Sequence, residues 1–234
     1  MISERYRRDY QGEFVVNTTT VRDSVKHQDR VWVPTPIENH HITGYAAVIA
    51  SNVDRDRFDH TRLQRHRGGL RASRKLFTYG THNVWRDMRL DYYAGTDQAE
   101  LQDISQHVVH EVTPLLTREL RYHDVTKVYT SSSRYLENSA RFLLIPHSPM
   151  LSDPALPLYL AAFDGVREIY MLGYNKETML ANPIGHRDVL HIMRTYPGTR
   201  FILVGTPSNM PIEWLSLRNV DAITHRRFVT QCDI

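Results

Sequence analysis

Two histidines stand where proton transfer could use them. His147 lies in Pro146-His147-Ser148-Pro149, after the apolar run 142–145, and His82 lies in Gly80-Thr81-His82-Asn83, after the run 76–79. Imidazole is the side chain best suited to take and return a proton near neutrality. Hydroxyl, amide and small residues recur at the ends of the other apolar runs: Ser51-Asn52-Val53-Asp54, Thr96-Asp97, Gly173-Tyr174-Asn175 and Gly205-Thr206-Pro207-Ser208-Asn209. Such residues form turns and helix caps anywhere, but the same groups hydrogen-bond ribose hydroxyls, base edges and phosphates. Asn52, Asn83, Asp97, Ser148, Tyr174 and Asn175 are the candidate ligand-binding set, with His147 and His82 as candidate base or acid. Tyr170 and Arg86 are weaker candidates for phosphate contact, since Tyr170 falls inside an apolar run and Arg86 has Asp87 and Asp91 nearby.

A second chemistry is cationic. Between residues 55 and 75 stand Arg55, Arg57, Arg62, Arg65, Arg67, Arg71, Arg74 and Lys75, opposed by Asp56 and Asp59 alone. Arg62, Arg65 and Arg67, beside Gly68-Gly69, make a cationic loop able to track a polyanion. The whole chain carries 29 Lys+Arg against 26 Asp+Glu, a net +3 that permits nucleic-acid binding without requiring it. Metal chemistry has little to build on. Cys232 is the one cysteine, His40 and His41 are adjacent and point apart in a strand, and His186 and His191 miss the three- or four-residue helical spacing. Gly-x-x-x-x-Gly-Lys-Ser/Thr, Gly-x-Gly-x-x-Gly and Gly-x-Ser-x-Gly are all absent, which removes support for P-loop ATPase, dinucleotide and α/β-hydrolase readings.

The elements that must position these residues follow from hydrophobic pattern. Short apolar runs at 46–50, 76–79, 92–94, 127–130, 142–145, 168–172 and 200–204 predict strands buried on both faces. Helices are expected at 99–109, 155–164 and 186–195; Leu156, Tyr159, Leu160 and Phe163 fall on one helical face. The alternation predicts an α/β, Rossmann-like fold: a mostly parallel sheet with helices on both faces and functional loops at the carboxyl ends of the strands. The first 44 residues read differently, as apolar islands around Val15-Val16, Val31-Trp32-Val33 and Ile42 among polar residues, with Pro34-Thr35-Pro36 forcing an extended path. They are expected to be an N-terminal arm or edge-strand extension, and 45–234 the Rossmann-like domain.

At 234 residues and 41% hydrophobic content, with aromatics at 10%, the chain can bury a substantial core and is not a disordered sequence. No apolar run reaches about 18 residues, and the start Met-Ile-Ser-Glu-Arg-Tyr-Arg-Arg is too charged for a signal peptide. A cytoplasmic protein without membrane contact is expected.

Four segments carry a resemblance. Ala47-Val48-Ile49-Ala50-Ser51-Asn52, Phe77-Thr78-Tyr79-Gly80-Thr81-His82-Asn83-Val84-Trp85-Arg86-Asp87 and Asp91-Tyr92-Tyr93-Ala94-Gly95-Thr96-Asp97 are similar in order to a nucleotide-binding group. That group comprises small bacterial sialyltransferases, motility-associated flagellin glycosylation factors and 6-hydroxymethylpterin pyrophosphokinase-like proteins. Residues 158–175, from Leu158 to Asn175, resemble its helix–Gly-x-x-Glu-Ile-Tyr-Leu-x-Gly-x-Asp segment. Two departures stand out: the first loop keeps Asn52 but lacks the group's two glycines, and Asn175 replaces a terminal Asp. The resemblance implies a nucleotide-sugar-dependent glycosyltransferase, with the nucleotide sugar as co-substrate and no resident cofactor; the scarcity of metal-ligating patterns makes it an expected metal-independent one. Joined to the basic segment, it raises modified DNA, in a bacteriophage or bacterial setting, as the acceptor. The alternative is a non-catalytic phage structural or interaction protein on the same scaffold, assembled through the N-terminal arm and located in the virion. Phosphotransfer of the pterin pyrophosphokinase kind is disfavoured by thin acidic metal-binding positions.

Overall fold

The computed structural model describes residues 2–5, 13–22, 25–34, 44–50, 62–63, 76–88, 90–110, 125–131, 142–146 and 149–234. Strands β1 (Ile2–Arg5), β2 (Glu13–Arg22) and β3 (Val25–Pro34) pair antiparallel in the order β1-β2-β3, a sheet of their own. The register sets Val15 opposite Trp32 and Val16 opposite Val31, so the apolar islands of the expected arm are cross-strand neighbours.

The remaining strands are β4 (Tyr45–Ile49), β5 (Leu76–Gly80), β6 (Leu90–Ala94), β7 (Val125–Thr130), β8 (Phe142–Leu144), β9 (Glu168–Leu172), β10 (Arg200–Val204) and β11 (Val220–Ile223). They form an eight-stranded sheet, parallel throughout, in the order β11-β10-β9-β4-β5-β6-β7-β8. Among the described residues the α-helices of known bounds are α1 (Val84–Asp87), α2 (Gln98–His110), α3 (Leu156–Phe163), α4 (Lys176–Ala181), α5 (Pro183–Thr195), α6 (Ile212–Leu215) and α7 (His225–Cys232). The expected Rossmann-like architecture is therefore present.

Side-chain alternation splits the core into two layers. Ala46, Val48, Ile169, Met171, Phe201 and Leu203 face α3, α5 and α6 through Leu160, Val189, Ile192 and Trp214. Ala47, Ile49, Tyr170, Leu172, Ile202 and Val204 face α2 and α7 through Leu101, Ile104, Phe228 and Cys232, with Leu63 in the same layer. One expectation needs correction. The face assigned to α3 was a single stripe, but every residue from Leu156 to Ala162 is buried, because α5 covers the side that the sheet does not. Pro157 is tolerated there as an early helical residue whose missing N–H has no intrahelical partner to lose.

Chain order places the functional edge. From β4 the chain steps outward through β5, β6, β7 and β8, then returns through α3 to pair β9 with the other side of β4. The direction of winding thus reverses between β4 and β9, and in open parallel sheets ligands bind beyond the carboxyl ends at such a reversal.

The α3-facing layer carries a polar device. Tyr79, Tyr92 and Tyr129 lie on successive strands, with the Tyr79 and Tyr92 rings stacked at 4.6 Å between centroids. Tyr79 Oη donates to the buried Asp164 carboxylate at 2.7 Å, whereas Tyr129 Oη is buried without a partner among the described residues. The two hydroxyls should respond oppositely to removal. Tyr79→Phe is expected to lower stability by about 2 kcal/mol, as for a hydrogen bond to a charged group. Tyr129→Phe should be neutral or stabilising, since it relieves an unbonded buried hydroxyl. Urea unfolding of the two variants checks this, and equal losses would refute it.

Candidate functional site

The carboxyl edge of the sheet gathers the expected residues that the structure describes. Asn83 follows β5, Asp97 follows β6 and Asn175 follows β9, so parallel pairing brings all three to one edge. Asn52, Ser148, His147, Arg65 and Arg67 lie outside the described residues, and Arg62 is exposed.

Each described residue has a local reason for its placement. Gly173 ends β9 at φ 84°, a conformation that favours glycine, and turns the chain into α4. Asn175 opens that helix: its Oδ1 accepts the Thr178 amide proton at 2.9 Å, while Thr178 Oγ1 accepts from the Asn175 amide at 3.3 Å. This reciprocal capping box uses an amide oxygen as readily as a carboxylate, which explains how Asn stands where the resembling group has Asp. Asp97 Oδ1 accepts the Ala99 and Glu100 amide protons at 2.8 and 3.2 Å, capping α2. Tyr174 is buried and its hydroxyl donates to the Pro154 carbonyl at 2.6 Å, so what the structure shows is a loop tether. Tyr170 sits in β9 with its hydroxyl directed to Glu168 Oε2 at 3.3 Å. Arg86 pairs with Glu100 and Asp103 and stacks over the Trp85 ring.

His82 is the chemically pointed member. Its φ of 48° is left-handed, and non-glycine residues held there recur at functional positions. Its Nδ1 faces Asp153 Oδ2 at 3.9 Å, while Asp153 Oδ1 accepts from the Thr96 amide and Thr96 Oγ1 at 3.1 and 3.0 Å. Thr96 thereby fixes the carboxylate, which faces one side of the imidazole from beyond hydrogen-bonding distance. Asp153 is in turn held by its own loop. The neighbouring Ser152 amide donates to the buried Asp188 of α5 at 2.9 Å, and Pro154 is tethered by Tyr174. Spacing could not have revealed this pairing, because His82 and Asp153 are brought together only by sheet order. The one sequence signal was that both follow strand ends or open helices.

Three buried hydroxyls at this edge have no partner among the described residues: Thr81 Oγ1, Tyr93 Oη and Ser152 Oγ. Leaving such a group unbonded costs about 1–3 kcal/mol, and a native structure that keeps several at one edge calls for a reason. Burial, reinforced by Asp153, Glu100 and Asp97, holds the Tyr93 hydroxyl protonated far above the usual tyrosine range. Gly95 makes room for it, since a Cβ there would stand 2.9 Å from Tyr93 Oη. Among the described residues, no three His, Cys, Asp or Glu side chains group as a metal site. No helix among them is long and apolar enough to cross a membrane.

Fold and edge together define a doubly wound α/β protein with its polar groups at the carboxyl end of a parallel sheet. The chain matches no protein-family model and no curated protein. Among solved structures it is similar to the sialyltransferase CstII from Campylobacter jejuni in complex with a substrate analogue, cytidine-5'-monophosphate. The TM-score is 0.47 at 9% identity, over 68% of this chain and 79% of that one. That identity is too low to carry any residue's role across.

Proposed function

We propose that the protein transfers a sugar from a nucleotide-sugar donor to a hydroxyl acceptor, with His82 as the base. The observation that carries this reading is the His82–Asp153 pair, held by Thr96 at the carboxyl edge of β5 and β6. The sequence resemblance to nucleotide-binding transferases supports it. With Nδ1 turned to Asp153, Nε2 is the nitrogen that takes the acceptor proton. The acceptor oxygen then bonds to the anomeric carbon as the bond from that carbon to the phosphate oxygen breaks, and the nucleotide leaves with that oxygen. Asn83 and Asn175 at this edge are the proposed nucleotide contacts, with Asn52 and Ser148, outside the described residues, as further candidates. His147 is the second candidate for the base.

Modified DNA as acceptor, in a bacteriophage setting and a host cytoplasm, is the finer proposal, resting on Arg62, Arg65 and Arg67. Metal independence meets one contrary feature in the sequence. Asp54-Arg55-Asp56, just after β4, has the Asp-x-Asp spacing by which many transferases hold a divalent cation with their donor, and it lies outside the described residues.

A thermal-shift series over nucleoside mono- and diphosphates, with EDTA and then with Mn²⁺, tests the reading. A nucleotide at 100 times its Kd adds about 2.7 kcal/mol, a rise of roughly 5–10 °C for a chain of this size. A rise in EDTA supports the metal-independent form, and a rise only with Mn²⁺ overturns that part. No rise with any nucleotide overturns the transferase and leaves the non-catalytic alternative.

A further inference from the structure

We infer a second binding site, for a small amphipathic anion, in the corner between α4, α5 and α6. It is independent of the transferase reading and involves none of its residues. A cavity of about 300 Å³ opens there, lined by Met179, Leu180, Pro183, Pro211 and Ile212, with Lys176, His186 and Glu213 as its charged or polar members. That volume and that mixture, an apolar wall with a few polar groups, are those of a small-ligand pocket.

Its rim is unusually apolar for a surface. Ile212 is 79% exposed, Leu180 69% and Ile184, one residue past Pro183, 60%, on three elements that meet at the cavity. Single exposed aliphatics need no explanation, but a group of them around a concavity marks a contact surface. The wall is also stiff. His186 stacks on the buried Trp214 ring at 5.2 Å and 12°, and its Nε2 lies 3.5 Å from Glu213. Asn182 caps α5 through the Gly185 amide at 2.9 Å, and a Cβ on Gly185 would stand 2.8–3.0 Å from Asn182 and Pro154. The backbone that frames the cavity is therefore closely packed from behind.

Charge selects the head group. His186 and Glu213 face one another, which leaves Lys176 as the cation of the lining that has no ion pair among the described residues. An aryl or short acyl body against Met179, Leu180 and Ile212, with a sulfonate, carboxylate or phosphate reaching Lys176, satisfies both halves of the cavity.

The dye 1-anilinonaphthalene-8-sulfonate and its uncharged counterpart N-phenyl-1-naphthylamine differ by the anionic group and serve as probes. Expected in fluorescence titration are one saturable site, tighter binding of the sulfonate, and loss of that preference in Lys176→Gln, about three- to tenfold. Ile212→Asp and Leu180→Asp should weaken both dyes at least tenfold. All three positions are on exposed side chains, so melting temperatures should stay near the parent's, which separates a lost site from a loosened fold. Binding that ignores these substitutions, or equal affinity for the two dyes in the parent, overturns the site. Nucleotide thermal shifts on the same variants should be unchanged, so this site and the proposed transferase centre fail separately.

Discussion

Replacing His82 by Gln is expected to lower the transferase rate constant about 10²–10⁴-fold, the usual contribution of a positioned base, or about 3–5 kcal/mol in the barrier. Glutamine keeps a hydrogen-bonding side chain of similar reach but cannot accept the acceptor's proton. His82 is partly exposed and its facing distance to Asp153 is long, so little folding energy rests on the pair. Nucleotide thermal shifts should therefore survive in the variant while turnover does not. Asp153→Asn should fall less, about tenfold to a hundredfold, because the amide oxygen still accepts from Thr96 while the charge facing His82 is gone. Asp188→Ala tests the next link. It strips the Ser152 amide of its acceptor and frees the loop that carries Asp153, so it should lower turnover and stability together. A variant within threefold of the parent would return the base to His147 or remove the reaction altogether.

The parallel strands were legible because burial on both faces leaves an uninterrupted apolar run. Ala46-Ala47-Val48-Ile49 divides evenly between the two core layers, so neither position in the alternation admits a polar residue. β11 was not legible for the converse reason. As an edge strand it exposes Asp221, which pairs with Arg200, and four residues with one charge do not read as a strand. α7 has the same difficulty: only Phe228 and Cys232 are buried among eight residues, and the helix is fixed by the Thr224 cap and by Phe228 packing on the Tyr170 ring at 5.0 Å. α3 was placed correctly, but its second buried side came from α5, a tertiary contact that no local period encodes. At the site, turn chemistry pointed to the strand ends. It could not tell a ligand contact from a cap, and Asp97 and Asn175 are both caps. Asp153 and Asp188 act through partners 57 and 36 residues away, pairings fixed by strand order and helix packing rather than by spacing.

Alkali should unfold the protein over a narrow range above pH 10, and the reason is the tyrosine content of the sheet. Tyr79, Tyr92, Tyr93, Tyr129, Tyr170 and Tyr174 are all buried, and desolvation is the largest cause raising each of their pKa values. Asp164 adds to the effect at Tyr79, Tyr92 and Tyr129, and the half-buried Tyr196 is pushed up to about 12. Raised values mean that the folded state keeps its phenolic protons after the unfolded chain has begun to lose them near pH 10. The stabilisation is whole below pH 10 and falls as pH rises, because unfolding then releases protons. Each such tyrosine contributes a slope of at most about 1.4 kcal/mol per pH unit, so six together approach 8 kcal/mol per unit. A domain stable by about 5–15 kcal/mol loses that margin within one to two units. Absorbance of tyrosinate near 295 nm and far-ultraviolet dichroism, followed on the same samples, should change in one coincident step. Tyr129→Phe removes one titrating group and should move the midpoint to higher pH, without the loss expected of Tyr79→Phe at neutrality. Tyrosines that ionise gradually around pH 10 while dichroism persists to pH 12 would show that the sheet does not hold them dry.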